Sequence, residues 1–326
     1  MKSIALINFY FGNKIPEYMD FYLSSVSYNK TIDLFLFTNL NIKSPGNNIK
    51  IINTTFEEFS STIIQHVTKG LNSRGIYDIV KISNPYKISD FRPCFGYCLE
   101  KYIIGYDFWG VSDLDLIFGD IRKYITEESL EKYDKLYENG HFFLIRNTKE
   151  CNELFFEDYK NSFYSVLCSE KNSFYEEVYE KPWIPGGGIN TIFDKKSLLY
   201  KNRKALCDIS FKYHNLVDLK NPVKSKRIIF IFNEGKLYRI YKANNKLHKE
   251  EIFYAHFQKR KLIKKTDNYK KFCVTNTAFR SIPEHDEQLF IDTKKIDYIT
   301  HKYFKFRYID AIRRKINKDF KKRELE

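Results

Sequence analysis

Two aspartates separated by one residue interrupt a long apolar stretch of the sequence. The stretch reads FWGVSDLDLIFGDI from residue 108, and the two carboxylates belong to Asp113 and Asp115. Burying a carboxylate is costly unless a partner compensates its charge. Hard divalent cations take carboxylate oxygens as ligands, so the spacing indicates a metal and phosphate site at the end of a buried strand. The alternative is a solvated turn in which the aspartates cap a helix.

Composition limits the classes of protein that this chain can form. The 326 residues are 43% hydrophobic and 17% aromatic, which is enough for a sizeable core and excludes general disorder. The net charge of +14 favours anionic partners such as nucleotides, phospholipid surfaces or nucleic acid. The six cysteines lack zinc-site spacing and suit a reducing compartment. The N-terminus resembles a first strand, and no apolar run is long enough for a membrane span, so we expect a cytoplasmic protein.

The first seventy residues show the alternation of strands and helices that positions such a site. Predicted strands cover Ser3–Phe11, Thr31–Thr38 and Ile49–Ile52. A predicted helix runs from Pro16 to Tyr28, and another follows the capping box formed by Thr55 and Glu58, ending near Leu71. This order favours an α/β sheet with some parallel strands. Ligands of such sheets bind beyond the carboxyl ends of the strands, where the aspartate pair lies.

The remaining elements are predicted from apolar patterns and turn signals. A loop and helix span 84–104, Asp120 and Thr126 cap helices, the second of which ends near Leu136, and His141–Arg146 is a strand. Further predicted elements are helices near 150–163 and 174–179, a glycine loop at 181–190, a strand at 191–193, a helix at 195–207, a hairpin at 227–241 and a last strand at 251–256. The catalytic domain is expected to end near residue 265, with residues 266–300 irregular.

Several segments carry a resemblance to a known class of enzymes. In chain order these are IALINFYFGN, DLFLFTN, YKISDFRP, the aspartate stretch, WIPGGGINTIF and FYAHFQKRK, which together span roughly residues 1–262. The ordered set resembles GT-A fold glycosyltransferases that use nucleotide-sugars, and in particular bacterial sugar transferases from capsule and lipopolysaccharide gene clusters. The resemblance implies a Rossmann-like, mixed and mostly parallel sheet flanked by helices in residues 1–265, and a C-terminal extension in 266–326.

The resemblance also implies roles for individual residues. A metal ion, Mn²⁺ or Mg²⁺, would be held by Asp113, Asp115 and His256. The nucleotide-sugar donor, expected to be a UDP-sugar, would contact Asn8, Tyr10, Phe11, Asp90, Arg92, Ser112, Lys259 and Lys261. The acceptor or transferred sugar would contact Trp183, Gly186, Gly187, Gly188 and Asn190. Each group also fits a structural interpretation: strand packing, helix capping, a tight turn, or a solvated basic run after a core histidine.

Residues 302–323 are predicted to form a basic helix with an apolar and aromatic stripe. Such a helix can lie on an anionic bilayer, which would suit a lipid-linked glycan acceptor, or it can pack on the protein. Nucleic-acid binding is not expected, because no RNA-binding motif accompanies the charge.

The resemblance therefore implies a cytoplasmic, metal-dependent glycosyltransferase that builds a surface polysaccharide, and the basic helix suggests a peripheral position on the inner face of the cell membrane. The catalytic base is not assigned, because Glu176, Glu177 and Asp194 cannot be distinguished from surface acids. One alternative is a nucleotidyltransferase or another metal-dependent phosphate enzyme. The other is a basic module that binds membranes or nucleic acid.

Overall fold

The structure is a computed structural model of the chain. It describes residues 1–157, 163–172, 175–176, 188–196, 199–200, 205–213, 215–223, 225, 227–258 and 260–283. The predicted site residues Trp183, Gly186, Gly187 and Lys259 lie outside the described residues, as does the predicted helix at 302–323. No helix within the described residues combines the length and apolar character that a membrane span requires.

Within these residues, strands and short helices alternate along the chain. Strands β1 to β16 are Ile4–Tyr10, Ile32–Thr38, Ile49–Asn53, Phe108–Ser112, Leu116–Phe118, Lys135–Asn139, Phe142–Arg146, Leu199–Tyr200, Leu206–Asp208, Ile228–Asn233, Lys236–Ala243, Lys246–Ile252, Tyr254–His256, Ile263–Lys264, Lys271–Val274 and Ala278–Arg280. Helices α1 to α9 are Met19–Ser27, Phe56–Asn72, Phe95–Cys98, Glu100–Ile103, Ile121–Tyr124, Glu127–Lys132, Lys149–Glu153, Tyr164–Leu167 and Ile189–Lys196. Two 3₁₀ helices cover Pro85–Cys94 and Leu154–Phe156.

The largest sheet has seven strands in the order β3-β2-β1-β4-β7-β6-β8. The pairs β3–β2, β2–β1, β1–β4 and β6–β8 are parallel, whereas β7 is antiparallel to both β4 and β6. The prediction of a mixed, mostly parallel α/β sheet is therefore confirmed. Strand β4 is the central strand of this sheet, so the aspartates that follow it lie at the middle of the row of strand ends.

Both faces of the large sheet are buried, which explains why its strands are almost continuously apolar. Alternate residues of β1 point to opposite faces. Ala5 and Ile7 pack with Phe59 of α2, and Leu6 packs on the other side with Leu23 of α1. The capping box predicted at the start of α2 is present, because the Thr55 side chain and Glu58 bond each other's backbone amides.

Two further sheets complete the described structure. A three-stranded sheet has the order β5-β13-β9, with β13 antiparallel to β5 and parallel to β9. A six-stranded sheet has the order β12-β11-β10-β15-β16-β14. The predicted hairpin between β10 and β11 is confirmed, and its turn residues Glu234 and Gly235 both have positive φ, as a type I′ turn requires.

The C-terminal part of the six-stranded sheet corrects one prediction. Residues 266–300 were expected to be irregular, but β15 pairs with β10 and β16 pairs with β15. The sheet thus includes residues on both sides of 265. These strands were missed because each is only three or four residues long, which is too short for a clear apolar pattern. The division of the chain at residue 265 stays a prediction.

Four local predictions are wrong for physical reasons that the structure shows. The helix expected at 195–207 is one of them, because β8 pairs with β6 and β9 pairs with β13 within that range. Residues 191–193 were expected to be a strand, but they belong to α9, in which Ile189, Ile192 and Phe193 share a buried face at helical spacing. Helix α6 ends at Lys132 and not at Leu136, because β6 begins at residue 135 to pair with β7. The long helix expected within 84–104 is a 3₁₀ helix and two short α-helices, since Pro93 cannot donate a helical hydrogen bond.

Buried Lys135 gives the fold a pH dependence that can be measured. Its Nζ donates to the Tyr137 carbonyl and to Asn190 Oδ1, at 2.5 and 2.8 Å, and burial lowers the pKa of the Lys135 ammonium to about 7. Between this value and its ordinary pKa of 10.5, the unfolded chain holds a proton that the folded chain lacks. This group therefore makes the free energy of unfolding increase with pH across that range.

Substitution Lys135→Met is expected to remove this contribution, so stability should increase less steeply with pH than in the wild type. Urea unfolding at several pH values between 7 and 10 measures the difference. Lys132→Met, at an exposed position three residues earlier, is the matched control and should keep the wild-type slope. Equal slopes for Lys135→Met and the wild type would contradict the assignment.

Candidate active site

Asp113 and Asp115 lie where the chain leaves the large sheet for the three-stranded sheet. The Asp113 amide donates to the His141 carbonyl at 2.8 Å, and the Asp115 carbonyl accepts from the Phe257 amide at 3.0 Å. Both carboxylates remain partly accessible, with 28% and 21% of their side chains exposed. The backbone thus fixes both aspartates while their carboxylates face an open cleft.

His256 lies beside both aspartates. It occupies β13, the middle strand of the three-stranded sheet, opposite Leu116 of β5. Its Nε2 is 3.3 Å from Asp115 Oδ1 and 3.6 Å from Asp113 Oδ2. The structure therefore brings together the three residues predicted to hold a metal, although they are far apart in the sequence.

The donor set of these three residues fits a divalent cation. One ligand atom from each residue lies within 4.8 Å of the others. Carboxylate oxygens suit Mg²⁺ and Mn²⁺, and a neutral imidazole nitrogen is a common additional metal ligand. The geometry is thus compatible with the predicted metal.

Charges in the cleft shift the protonation of these groups in different directions. Burial opposes ionisation of Asp113, yet the Arg92 guanidinium and His256 outweigh it and hold the pKa of that carboxyl below its usual value. Burial raises the pKa of Asp115 despite the attraction of His256. Burial also opposes the His256 imidazolium, but Asp115 and the other carboxylates raise the pKa of His256 to about 10. In the metal-free chain, a cationic imidazolium therefore lies among the carboxylates.

A third carboxylate, Asp208, contacts the same imidazole and was missed by the sequence analysis. Asp208 lies on β9, opposite His256 of β13. Its Oδ1 is 2.9 Å from His256 Nδ1 and accepts a hydrogen bond from Gln258 Nε2 at 2.7 Å. The available signal was an acidic residue within the apolar segment LCDI, which is unusual for a buried strand.

His141 packs against the ring of His256. Its ring stacks on that of His256 with centroids 4.2 Å apart, and its Nε2 lies 3.0 Å from the Tyr254 hydroxyl. Burial, and next the positive His256, lower the pKa of His141 to about 3, so this ring is neutral at physiological pH.

Arg92 and Asp90 come from the same 3₁₀ helix but have different surroundings. Arg92 lines the cleft, where it donates to Asp113 Oδ1 at 2.6 Å and to the Gly140 carbonyl at 2.8 Å. Asp90 is fully buried and pairs with Lys87 at 2.9 Å. It is not among the residues that line the cleft, so direct contact between Asp90 and a donor sugar stays a prediction without geometric support.

The residues predicted to contact the donor base come together at the end of β1. Asn8, Tyr10, Phe11 and Ser112 all line the cleft. The Asn8 amide nitrogen donates to the Tyr22 hydroxyl at 2.6 Å and to Ser112 Oγ at 3.0 Å. The amide of Asn8 therefore bonds within the protein, whereas the two aromatic side chains present partly exposed rings to the cleft.

The basic residues Arg260 and Lys261, which follow His256 in the sequence, are not among the residues that line the cleft. Arg260 is buried and donates to the carbonyls of Ser210 and Tyr213, both at 2.7 Å. Lys261 is exposed and is not among the cleft-lining residues. A phosphate-binding role for Lys261 stays a prediction.

The predicted acceptor residues within the described structure are Gly188 and Asn190. Asn190 is fully buried, accepts from Lys135 Nζ at 2.8 Å and donates to the Glu138 carbonyl at 2.7 Å. Neither residue is among those that line the cleft, so sugar binding by them stays a prediction. Of the candidate bases, Glu176 lines the cleft and Asp194 is exposed on α9, while Glu177 lies outside the described residues.

The cleft around these groups has a volume of about 700 Å³. This size is within the range of small-molecule sites. Its polar and aromatic lining comprises Asn8, Phe9, Tyr10, Phe11, Tyr18, Tyr86, Ser89, Arg92, Ser112, Asp113, Asp115, His141, Asn172, Glu176, Asp208, Phe211, His256 and Gln258. The lining of the cleft thus combines aromatic rings from several separate segments with charged side chains.

Comparison with known proteins identifies the family of this chain. Residues 6–283 match the sequence model of a family of unknown function, DUF6625. This match covers most of the chain, and the chain belongs to that family. No curated protein matches the sequence.

Solved structures show distant likeness. The galactosyltransferase LgtC in complex with donor and acceptor sugar analogues is 9% identical, with 63% of this chain and 75% of that chain covered and a TM-score of 0.35. An active-site mutant of LgtC is 9% identical, with 79% and 88% covered and a TM-score of 0.40. The apo glycosyltransferase GlyE from Streptococcus pneumoniae is 12% identical, with 62% and 46% covered and a TM-score of 0.35, so this chain spans about half of GlyE.

Substitution Asp115→Asn tests the metal site directly. It is expected to weaken Mn²⁺ binding by more than about 100-fold, because even loss of an outer-shell partner costs about 10- to 100-fold. The signal of free Mn²⁺ in electron paramagnetic resonance measures the affinity. Asp267→Asn, at a carboxylate that is 84% exposed, is the matched control and should bind as the wild type does. Unchanged Mn²⁺ affinity in Asp115→Asn would show that this carboxylate is not a ligand.

Proposed function

We propose that this protein is a metal-dependent glycosyltransferase of the GT-A type. The observation that carries the proposal is the convergence of Asp113, Asp115 and His256 in an open cleft. His256 Nε2 lies 3.6 Å from Asp113 Oδ2 and 3.3 Å from Asp115 Oδ1. These residues belong to the ordered set of segments that resembles sugar transferases. The proposed reaction moves a sugar from a nucleotide-diphosphate donor to a hydroxyl of a capsule or lipopolysaccharide acceptor.

In this proposal, Asp113, Asp115 and His256 would hold Mn²⁺ or Mg²⁺. When bound, such a cation neutralises the donor diphosphate and acts as a Lewis acid on the leaving group. Arg92 is anchored by the Gly140 carbonyl, so its guanidinium stays at the cleft beside Asp113. A guanidinium in that place suits phosphate oxygens, which it can bind through two parallel hydrogen bonds.

The aromatic residues at the end of β1 would receive the nucleotide base. Tyr10 and Phe11 line the cleft, and the Phe11 ring is supported from below by Phe59 at a centroid distance of 5.6 Å. A ring held in this way offers a rigid stacking surface at little entropic cost. Residues 302–323 would attach the protein to an anionic membrane that carries a lipid-linked acceptor.

Titration with UDP-, GDP- and CDP-sugars in the presence of Mn²⁺ tests the function. We expect at least one of them to bind only with metal, measured as heat of binding, and to be slowly hydrolysed to the nucleoside diphosphate. Asp115→Asn should abolish both signals, and Asp267→Asn should retain them. If none of these donors binds in a metal-dependent manner, the transferase proposal is wrong. Release of pyrophosphate from a nucleoside triphosphate would instead support the nucleotidyltransferase alternative.

A further inference from the structure

The two ring nitrogens of His256 face different carboxylates. Nε2 faces Asp113 and Asp115, the proposed metal ligands, at 3.6 and 3.3 Å. Nδ1 lies 2.9 Å from Asp208 Oδ1, within hydrogen-bond distance. An imidazole can bind a metal through one nitrogen only if that nitrogen is unprotonated, and the hydrogen bond at the other nitrogen decides which one this is.

The three-stranded sheet fixes this arrangement through its backbone. His256 of β13 is directly opposite Leu116 of β5 on one side and directly opposite Asp208 of β9 on the other. Asp115 is the residue immediately before Leu116. The three functional side chains therefore arise from neighbouring positions on adjacent strands, where the spacing between strands is about 4.8 Å.

Asp208 is itself held in place by several contacts. Gln258 Nε2 donates to the same Oδ1 atom at 2.7 Å. The Asp208 amide donates to Asp218 Oδ1 at 3.2 Å, and that oxygen also accepts from the amides of Lys220 and Asn221. The Asp218 side chain is fully buried. Asp218 thus fixes the backbone of Asp208, and Gln258 holds the Asp208 carboxylate beside His256.

This support continues into the six-stranded sheet. Arg239 of β11 donates to Asp218 Oδ2 at 2.8 Å and to Glu250 Oε2 of β12 at 2.6 Å. Its side chain is only 9% exposed. A buried carboxylate with a bonded arginine and three amide donors is fully compensated, so the network can persist away from water.

We propose that Asp208 is the positioning residue that prepares His256 as a metal ligand, and that Asp218 and Arg239 hold Asp208 in that orientation. A metal that binds His256 would replace the Nε2 proton of the imidazolium. Asp208 would accept the hydrogen bond from Nδ1–H, which keeps Nε2 as the nitrogen that faces Asp113 and Asp115. The negative charge of Asp208 also increases the basicity of the ring nitrogen that binds metal. This role rests on the proposed function only in that it requires a metal at the aspartates.

A second metal site is the competing explanation for the same residues. His141, Asp208 and His256 also offer ligand atoms within 4.8 Å of one another. However, the two imidazole rings are stacked at 4.2 Å with planes inclined by 26°, so their in-plane lone pairs run nearly side by side and do not converge. In addition, His141 Nε2 already faces the Tyr254 hydroxyl. We therefore favour the positioning role, and metal stoichiometry separates the two.

The test compares Mn²⁺ binding to the wild type, Asp208→Asn, His256→Gln and the double variant, all without nucleotide, by electron paramagnetic resonance. We expect one Mn²⁺ per chain, and an affinity about 10- to 100-fold weaker in Asp208→Asn than in the wild type. Because Asp208 acts through His256, the Asp208→Asn substitution should have no further effect in the His256→Gln background. Asp267→Asn is the matched control for removal of one carboxylate charge. Melting temperatures establish that each variant is folded.

A spectroscopic measurement tests the tautomer in the wild type itself, whether or not the variants fold. In the Mg²⁺-loaded protein labelled with ¹⁵N-histidine, His256 should show a protonated Nδ1 and a metal-bound Nε2. Its signal is identified by its loss in His256→Gln. At the same Mg²⁺ concentration, Asp208→Asn should lower the fraction of His256 rings whose Nε2 is metal-bound, which a merely structural contribution to stability would not produce. An unprotonated Nδ1 in the wild type would overturn the proposal.

The outcomes distinguish this inference from the proposed function. Equal Mn²⁺ affinity in Asp208→Asn and the wild type overturns the positioning role alone, as does a stoichiometry of two ions with loss of one in Asp208→Asn. If the wild type binds metal but no nucleotide-sugar binds in a metal-dependent manner, the glycosyltransferase proposal is wrong. The positioning role is then decided by the Mn²⁺ affinities of the wild type and Asp208→Asn. No metal binding by the wild type overturns both.

Discussion

Three carboxylates gather around a single imidazole at the carboxyl end of β4, the central strand of the large sheet, and the remainder of the site depends on how their charge is compensated. Asp113, Asp115 and Asp208 all lie within 3.6 Å of a nitrogen of His256. Carboxylates at this density and burial cannot all remain ionised without cations nearby. Arg92 and the imidazolium supply positive charge in the metal-free chain. The same arrangement is compatible with a bound divalent cation, because ligand atoms of Asp113, Asp115 and His256 lie within 4.8 Å of one another.

The three-stranded sheet is the junction that makes this concentration possible. Strand β5 continues from the aspartates, β13 carries His256 and β9 carries Asp208, so residues from three distant segments become neighbours. Close approach of β5 to the six-stranded sheet requires Gly119, because a Cβ there would lie 2.6 Å from the Ile252 carbonyl oxygen. The six-stranded sheet also supports the site, because its Arg239 bonds Asp218, and Asp218 in turn bonds the backbone of Asp208 beside His256.

The 3₁₀ helix that carries Arg92 is held by a second buried charge pair, formed by Lys87 and Asp90. Lys87 Nζ donates to Asp90 and also to the carbonyls of Val166 and Lys171, while Asp90 Oδ1 accepts from the Tyr175 amide. A buried pair with this many additional hydrogen bonds is well compensated. It connects this helix to Val166, Lys171 and Tyr175, the last of which directly precedes Glu176. Asp90 therefore shapes the cleft from behind it, which no local pattern in the sequence revealed.

The sequence by itself determined those features that arise from neighbouring residues. The order of strands and helices in the first seventy residues, the Thr55 capping box, the turn after β10 and the aspartate pair at the end of β4 all follow from local periodicity and local hydrogen bonding. Only the tertiary structure decided which distant side chains meet. It set Asp208 beside His256, enclosed Asp90 and Asn190 within the protein, and formed α9 where a strand was expected. Cross-strand register and burial depend on the packing of the whole chain, and a local pattern does not encode them.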